Sequence, residues 1–139
     1  GADTIGIHIE TFDQNVLRRV APSKAEHGLE FFITSWRHAV SVFGKNQVSS
    51  FIIAGLGEEM TSIIAGAELL CDIGVFPYLL PFRPIPGTSL ESSRPPAPET
   101  MLYLYGQVSV LLKQYDLSSA ASRAGCVRCG ACSSISLFE

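Results

Sequence analysis

Three closely spaced cysteines are the strongest chemical signal in this chain. The stretch "GCVRCGAC" (residues 125–132) holds Cys126, Cys129 and Cys132, with Gly125 and Gly130 beside them. Their spacing equals the first three ligands of a ferredoxin-type C-x2-C-x2-C run. Thiolates are soft ligands for iron–sulfur clusters or zinc. The small flanking residues let a short loop wrap round a cluster and turn backbone N–H groups toward its sulfurs. Three thiolates leave one iron of a 4Fe–4S cube without a cysteine ligand. Substrate, a non-cysteine group or a cysteine from another segment could take that place. Zinc and a metal-free thiol cluster are the competing readings. Few apolar residues anchor this tail, so without metal it is expected to be disordered. The fourth cysteine, Cys71, falls on a helical apolar stripe and reads as a small buried hydrophobe.

A second group of chemical residues lies at the ends of strand-like runs. Gly6, His8 and Glu10 alternate with Ile5, Ile7 and Ile9, the period of a strand. Glu10 ends that run. Gly55-Leu56-Gly57-Glu58 ends a second run, and Arg83 with residues 84–88 ends a third. Glycine at a strand end lets a ligand approach the backbone, although a tight turn needs glycine too. Each position also has a plain structural reading. Glu10 could be a solvated carboxylate, and His8 a packed core histidine. Glu58 could simply begin a helix, where a carboxylate suits the dipole. Arg83 could pair with Glu91. His27 and His38 read as surface residues, and Trp36 as core.

The intervening segments alternate between strand and helix. After the first strand, Ser23-Lys24-Ala25-Glu26 has the form of a capping box. Leu29, Phe32, Ile33, Trp36, Val40 and Phe43 then recur at helical spacing, and Gly44 ends the helix. The short apolar run over residues 48–54 predicts a strand covered on both faces. Ile63, Ile64, Ala67, Leu70 and Cys71 mark a second helix that stops near Gly74. Residues 75–82 predict a third strand, which Pro77 and Pro81 make irregular or place near an edge. Residues 85–100 read as loop. Met101, Leu104, Tyr105, Val108, Leu111, Leu112 and Tyr115 mark a third helix.

Strand, helix, strand at this spacing implies parallel strands in the order first, second, third. The predicted fold is α/β: three parallel strands with helices on one face, half of a βα TIM-type barrel, plus a C-terminal cysteine-rich loop. Gly6, His8, Glu10 and Ile53 are expected on the open face, and Ile5, Ile7 and Ile9 against helices. Three units cannot close a barrel, so the 139 residues read as part of a longer protein, the other half of the barrel being the expected partner. Residues 1–117 would be the half-barrel and 118–139 the tail.

Composition limits the alternatives. Ten basic residues against 13 acidic ones, with no basic stripe, point away from nucleic acid. No apolar run approaches the roughly 20 residues of a membrane span. Crowded cysteines suit a metal site in the reducing cytoplasm better than a secreted disulfide scaffold.

The segments "IGIHIET" (5–11), "FIIAGLGEE" (51–59) and "PFRPIPGTSL" (81–90), in this order, resemble the second half of the radical S-adenosylmethionine barrel. The likeness extends over nearly the whole chain, "AGCVRCGACSS" (124–134) included. It is strongest to the biotin synthase-like branch, and within it to proteins encoded beside nitrilases. It implies an enzyme that uses S-adenosylmethionine to abstract hydrogen from a small-molecule substrate through a 5′-deoxyadenosyl radical.

By the same resemblance, His8 and Glu10 stand where that family binds the cofactor's ribose. Ile53 would pack on adenine, Gly55 and Gly57 would admit it, and the backbone from Arg83 to Ile85 would meet its edge. An auxiliary 4Fe–4S cluster would sit on Cys126, Cys129 and Cys132. The family's CxxxCxxC motif for the radical-generating cluster does not occur in these residues; it would lie in the preceding half. Phe51 stands where the pattern has glycine. Ser49 and Gly6 replace a cluster-binding cysteine and a substrate-binding asparagine of biotin synthase, which argues against sulfur insertion. A non-catalytic metal-binding module, with iron–sulfur or zinc in the tail, is the alternative.

Overall fold

The computed structural model describes all of residues 1–139. Strands β1 (Ile5–Gly6), β2 (Val48–Ala54) and β3 (Val75–Pro81) form one parallel sheet in the order β1-β2-β3. Helices α2 (Pro22–Phe43), α3 (Met60–Ile73) and α4 (Pro98–Gln114) connect and cover it. The alternation of periods thus carries through to an α/β sheet of the expected order.

The elements form for local reasons that the sequence states. Gly74 ends α3 in the left-handed region (φ 93°, ψ 17°), from which β3 starts at once. Trp36, Leu70, Leu79, Leu104 and Leu112 are among the fully buried side chains of the core. Each leucine contributes about 1.5–3 kcal/mol by leaving water. The stripes predicted for α2, α3 and α4 all face this core.

Four details depart from expectation. A short helix, α1 (Gln14–Val20), precedes α2; the Asp13 carboxylate caps it by accepting the Asn15 and Val16 N–H groups. Helix α2 starts at Pro22 with no side-chain cap, so Ser23 forms no capping box, because Pro22 already sets the first helical φ. Gly28 then kinks α2 with φ 73° and ψ 164°. Strand β2 is fully buried on one face only: Val48, Ser50, Ile52 and Ala54 are buried, whereas Ser49, Phe51 and Ile53 are half-buried.

Strand β1 carries a bulge. Five steps from Ile5 to Glu10 lie opposite four steps from Val48 to Ile52, since Ile5 pairs with Val48 and Glu10 with Ile52. The extra residue breaks the ladder, and side chains take up the freed backbone groups. The His8 Nδ1 accepts the Phe51 N–H (3.1 Å), Trp36 Nε1 donates to the Ile7 carbonyl (2.9 Å), and Ser50 Oγ accepts the Ile9 N–H (3.2 Å). Buried backbone groups thereby stay paired, as they must.

The tail is ordered against the sheet. Asn46 exchanges two hydrogen bonds with Ser118, and Gln47 bonds Ala121 and Arg123. The Ser133 hydroxyl donates to the Leu79 carbonyl on β3. Val127 and Ile135 join the main core. The expectation of a loose tail fails here because two apolar residues and a clasp of amides suffice to seat it.

Candidate functional site

The carboxyl ends of the strands surround a cavity of about 310 Å³. Glu10, Ile53, Leu56, Arg83 and Ile85 line it. Strand β1 delivers Glu10, β2 delivers Ile53, and the segment after β3 delivers Arg83 and Ile85. Four of the seven positions singled out for a cofactor therefore share one hollow, although they are far apart in sequence. Its walls are mostly apolar, with a carboxylate and a guanidinium as the charged groups. Such a lining suits a ligand with a flat apolar part and polar substituents.

Glu10 is unusual in backbone as well as position. Its φ of 73° lies in the left-handed region, which disfavours a side chain. Its carboxylate pairs with the Lys24 ammonium, which also donates to the His8 carbonyl at 2.8 Å. Lys24 stands in the first turn of α2, so the helix start holds the strand end. No local motif marks Lys24 for this role.

His8, Gly55 and Gly57 lie elsewhere. The His8 ring stacks on Phe51 (centroids 3.7 Å apart, planes 15° apart) and folds over Gly6. A Cβ on Gly6 would stand 2.5 Å from the ring, so glycine there makes room for His8. His8 opens onto a second cavity of about 210 Å³, shared with Gly6, Ser49, Gly125 and Cys126. Burial lowers its pKa most, with Lys24 acting in the same direction and Glu10 against it. Because Nδ1 accepts a hydrogen bond, the neutral ring carries its proton on Nε2.

Gly55 (φ 101°) and Gly57 (φ 107°) shape the turn from β2 to α3. A Cβ on Gly55 would come 2.8 Å from Pro96 Cδ, so the close approach there is made by the chain's own loop. The Glu58 carboxylate accepts the Gly55 and Leu56 N–H groups at 2.8 and 3.0 Å. It closes the turn rather than reaching a ligand. Arg19 donates to the Leu56 carbonyl. Glu91 accepts the Gly87 N–H and leaves Arg83 free of it.

The tail passes over the face of the sheet that α2, α3 and α4 leave open. Helix α5 (Gly125–Cys129) carries Cys126 and Cys129, and Gly130 turns the chain (φ 68°) toward Cys132. All three thiols are exposed, whereas Cys71 is buried. No three His, Cys, Asp or Glu side chains are gathered as a metal-binding group. The donor chemistry fits a soft metal centre, and the loop would have to draw the thiols together around it. Burial raises the pKa of Tyr78 on β3 most; the Cys132 backbone opposes the rise, and the charges of the three thiols add to it. Its hydroxyl is buried without a hydrogen-bond partner. In the sequence, Tyr78 is marked only as a residue of the third strand. Its pairing with Phe51 places it on the open face, and that register is a property of the sheet.

No helix is long and apolar enough to cross a membrane. No family model matches the chain. Over 118 residues, 84% of this chain, it is 27% identical to the bacteriochlorophyllide c C-7(1)-hydroxylase of Chlorobaculum limnaeum. The chain spans 29% of the length of that curated relative. The chain is thus distantly similar, over most of its own length, to part of a hydroxylase.

Proposed function

We propose that this chain is the cofactor-binding half of a radical S-adenosylmethionine barrel enzyme that abstracts hydrogen from a small organic substrate. The observation that carries the reading is the cavity at the strand ends, where Glu10, Ile53, Arg83 and Ile85 converge. In βα-barrels this end of the strands bears the chemistry. The similarity to a hydroxylase supports it, since hydroxylating a carbon requires breaking a C–H bond.

When bound, S-adenosylmethionine supplies an alkyl radical able to abstract hydrogen from carbon. The chain's own residues bind and orient. The Glu10 carboxylate can accept both ribose hydroxyl protons, and its pair with Lys24 holds it at the cavity wall. Ile53 offers an apolar surface for adenine, and Arg83 suits a carboxylate of cofactor or substrate. Cys126, Cys129 and Cys132 would hold an auxiliary 4Fe–4S cluster. The radical-generating cluster and the rest of the barrel would come from the preceding half.

Calorimetric titration of S-adenosylmethionine into the anaerobically purified whole protein tests this. Replacement of Glu10 by Ala should weaken binding at least tenfold, about 1.4 kcal/mol. Unchanged affinity would reduce Glu10 to a strand-end carboxylate. The exposed thiols favour a second reading, a non-catalytic module in which the sheet only scaffolds a metal-binding tail. Metal uptake without any S-adenosylmethionine binding would select it.

A further inference from the structure

We infer that the hollow between the end of β3, α4 and the tail holds the carboxylate of a small organic acid, and that this acid is the substrate. The inference rests on the proposed function and goes beyond it by naming the substrate class.

The first observation is the lining. Pro81, Arg83, Tyr105, Ser134, Ser136 and Leu137 are among the residues around a cavity of about 300 Å³. No Asp or Glu lines it, although the chain carries a net charge of −3. Arg83 pairs with no carboxylate; the two ion pairs of the chain are Lys24–Glu10 and Lys45–Asp116. The Tyr105 hydroxyl accepts the Ser134 N–H at 3.4 Å and keeps its own proton to donate. The side-chain hydrogen bonds of this segment are made by Ser133 and Tyr105, which leaves the Ser134 and Ser136 hydroxyls uncommitted.

The second observation is fixed placement. Ile135, between the two serines, is 1% exposed in the core, and Ser133 before them donates to the Leu79 carbonyl of β3. Tyr105 is buried on α4. Core packing, not the cysteines, therefore holds these donors. The third is adjacency. Pro81 and Arg83 also line the cavity assigned to the cofactor. Arg83 thus stands between two hollows, and a ligand anchored on it abuts the cofactor.

The chemistry selects an organic monoanion. A guanidinium offers paired N–H donors that match a carboxylate, and nearby hydroxyls can donate to the same oxygens. One guanidinium balances one negative charge, whereas a phosphate dianion would keep a charge unpaired. Pro81 and Leu137 offer apolar contact to the rest of the molecule. A volume of about 300 Å³ equals that of about ten liquid waters at roughly 30 Å³ each, room for a ligand of about that many non-hydrogen atoms.

The test titrates benzoate, an acid of this size, into the anaerobically purified whole protein, with and without saturating S-adenosylmethionine, and reads binding by ligand-observed NMR. Benzamide is the neutral isostere, and inorganic phosphate the competing anion. The parent should bind benzoate equally in both states and ignore benzamide. Arg83→Gln should bind benzoate at least tenfold more weakly, and Ser136→Ala about threefold more weakly. Both variants should bind S-adenosylmethionine as the parent does in calorimetry, since the substitutions leave the backbone in place. Absence of benzoate binding, equal binding of benzamide, parent-like affinity in Arg83→Gln, or displacement of benzoate by an equal concentration of phosphate overturns the inference. So does competition between benzoate and S-adenosylmethionine, or weaker S-adenosylmethionine binding by Arg83→Gln, either of which would give Arg83 to the cofactor's own carboxylate. Each of these leaves the enzyme reading standing. Arg83-dependent benzoate binding by a protein with no affinity for S-adenosylmethionine supports the carboxylate site and overturns the enzyme reading instead.

Discussion

His8 holds the Phe51 backbone N–H through Nδ1 at 3.1 Å while its ring stacks on the Phe51 side chain with centroids 3.7 Å apart. One imidazole thus replaces a missing ladder bond and covers the residue that supplies the donor. The first of these needs a neutral ring, because a proton on Nδ1 would turn the acceptor into a second donor.

This relationship predicts a loss of stability in mild acid. Burial lowers the His8 pKa below its ordinary 6.5. Above that value the folded and unfolded chains both hold neutral imidazole, and the contribution is fully present. As pH falls below 6.5 the unfolded chain takes up a proton first, and stability is lost until folded His8 protonates as well. Asparagine can accept the same N–H without titrating. Urea denaturation at about pH 7.5 and about pH 5 should show the parent losing about 1 kcal/mol more than His8→Asn. Equal losses would mean that His8 does not titrate against the sheet.

The cysteines should divide sharply in reactivity. Cys126, Cys129 and Cys132 are exposed, while burial, with Glu68 adding to it, pushes the Cys71 thiol up to about 12. The thiolate is the reactive form. Brief iodoacetamide treatment of the native, metal-free chain, followed by peptide mass spectrometry, should find the tail cysteines alkylated and Cys71 untouched. Denaturant should open Cys71 to labelling. Early labelling of Cys71 would contradict its place in the core.

Strand β2 and helices α3 and α4 were legible because long apolar stripes and glycine stops are local signals. The bulge in β1 was not, because alternation through Ile5, Ile7 and Ile9 predicts an unbroken strand. What shifts the register is a set of distant side chains, Trp36, Ser50 and His8, each taking a backbone bond. Helix α1 was missed because seven residues are too few to display a helical period, although Asp13 was a readable cap. The site was legible in part for the same reason. Strand ends pointed to Glu10, Ile53, Arg83 and Ile85, which do share a cavity. Gly55 and Gly57 signalled backbone need, and a turn uses them. Lys24 and Tyr78 gain their places only through packing between segments.

The backbone of Glu10 separates function from stability in one further experiment. At φ 73° a glutamate is strained by on the order of 1–3 kcal/mol. Its bond to Lys24 lies at a partly exposed pair and returns only about 0–1 kcal/mol. Glycine adopts this φ without strain, so Glu10→Gly removes the cost and forfeits only the weak pair. The variant should therefore be as stable as the parent or more stable by about 1 kcal/mol in urea denaturation. Glu10→Ala keeps the strain, loses the pair and should be less stable than Glu10→Gly. Both should bind S-adenosylmethionine at least tenfold more weakly, about 1.4 kcal/mol. That combination, a strained carboxylate whose removal relaxes the chain and empties the site, is expected of a residue kept for its ligand. A Glu10→Gly variant that unfolds more easily while binding normally would instead make the Glu10–Lys24 pair a structural tie between β1 and α2.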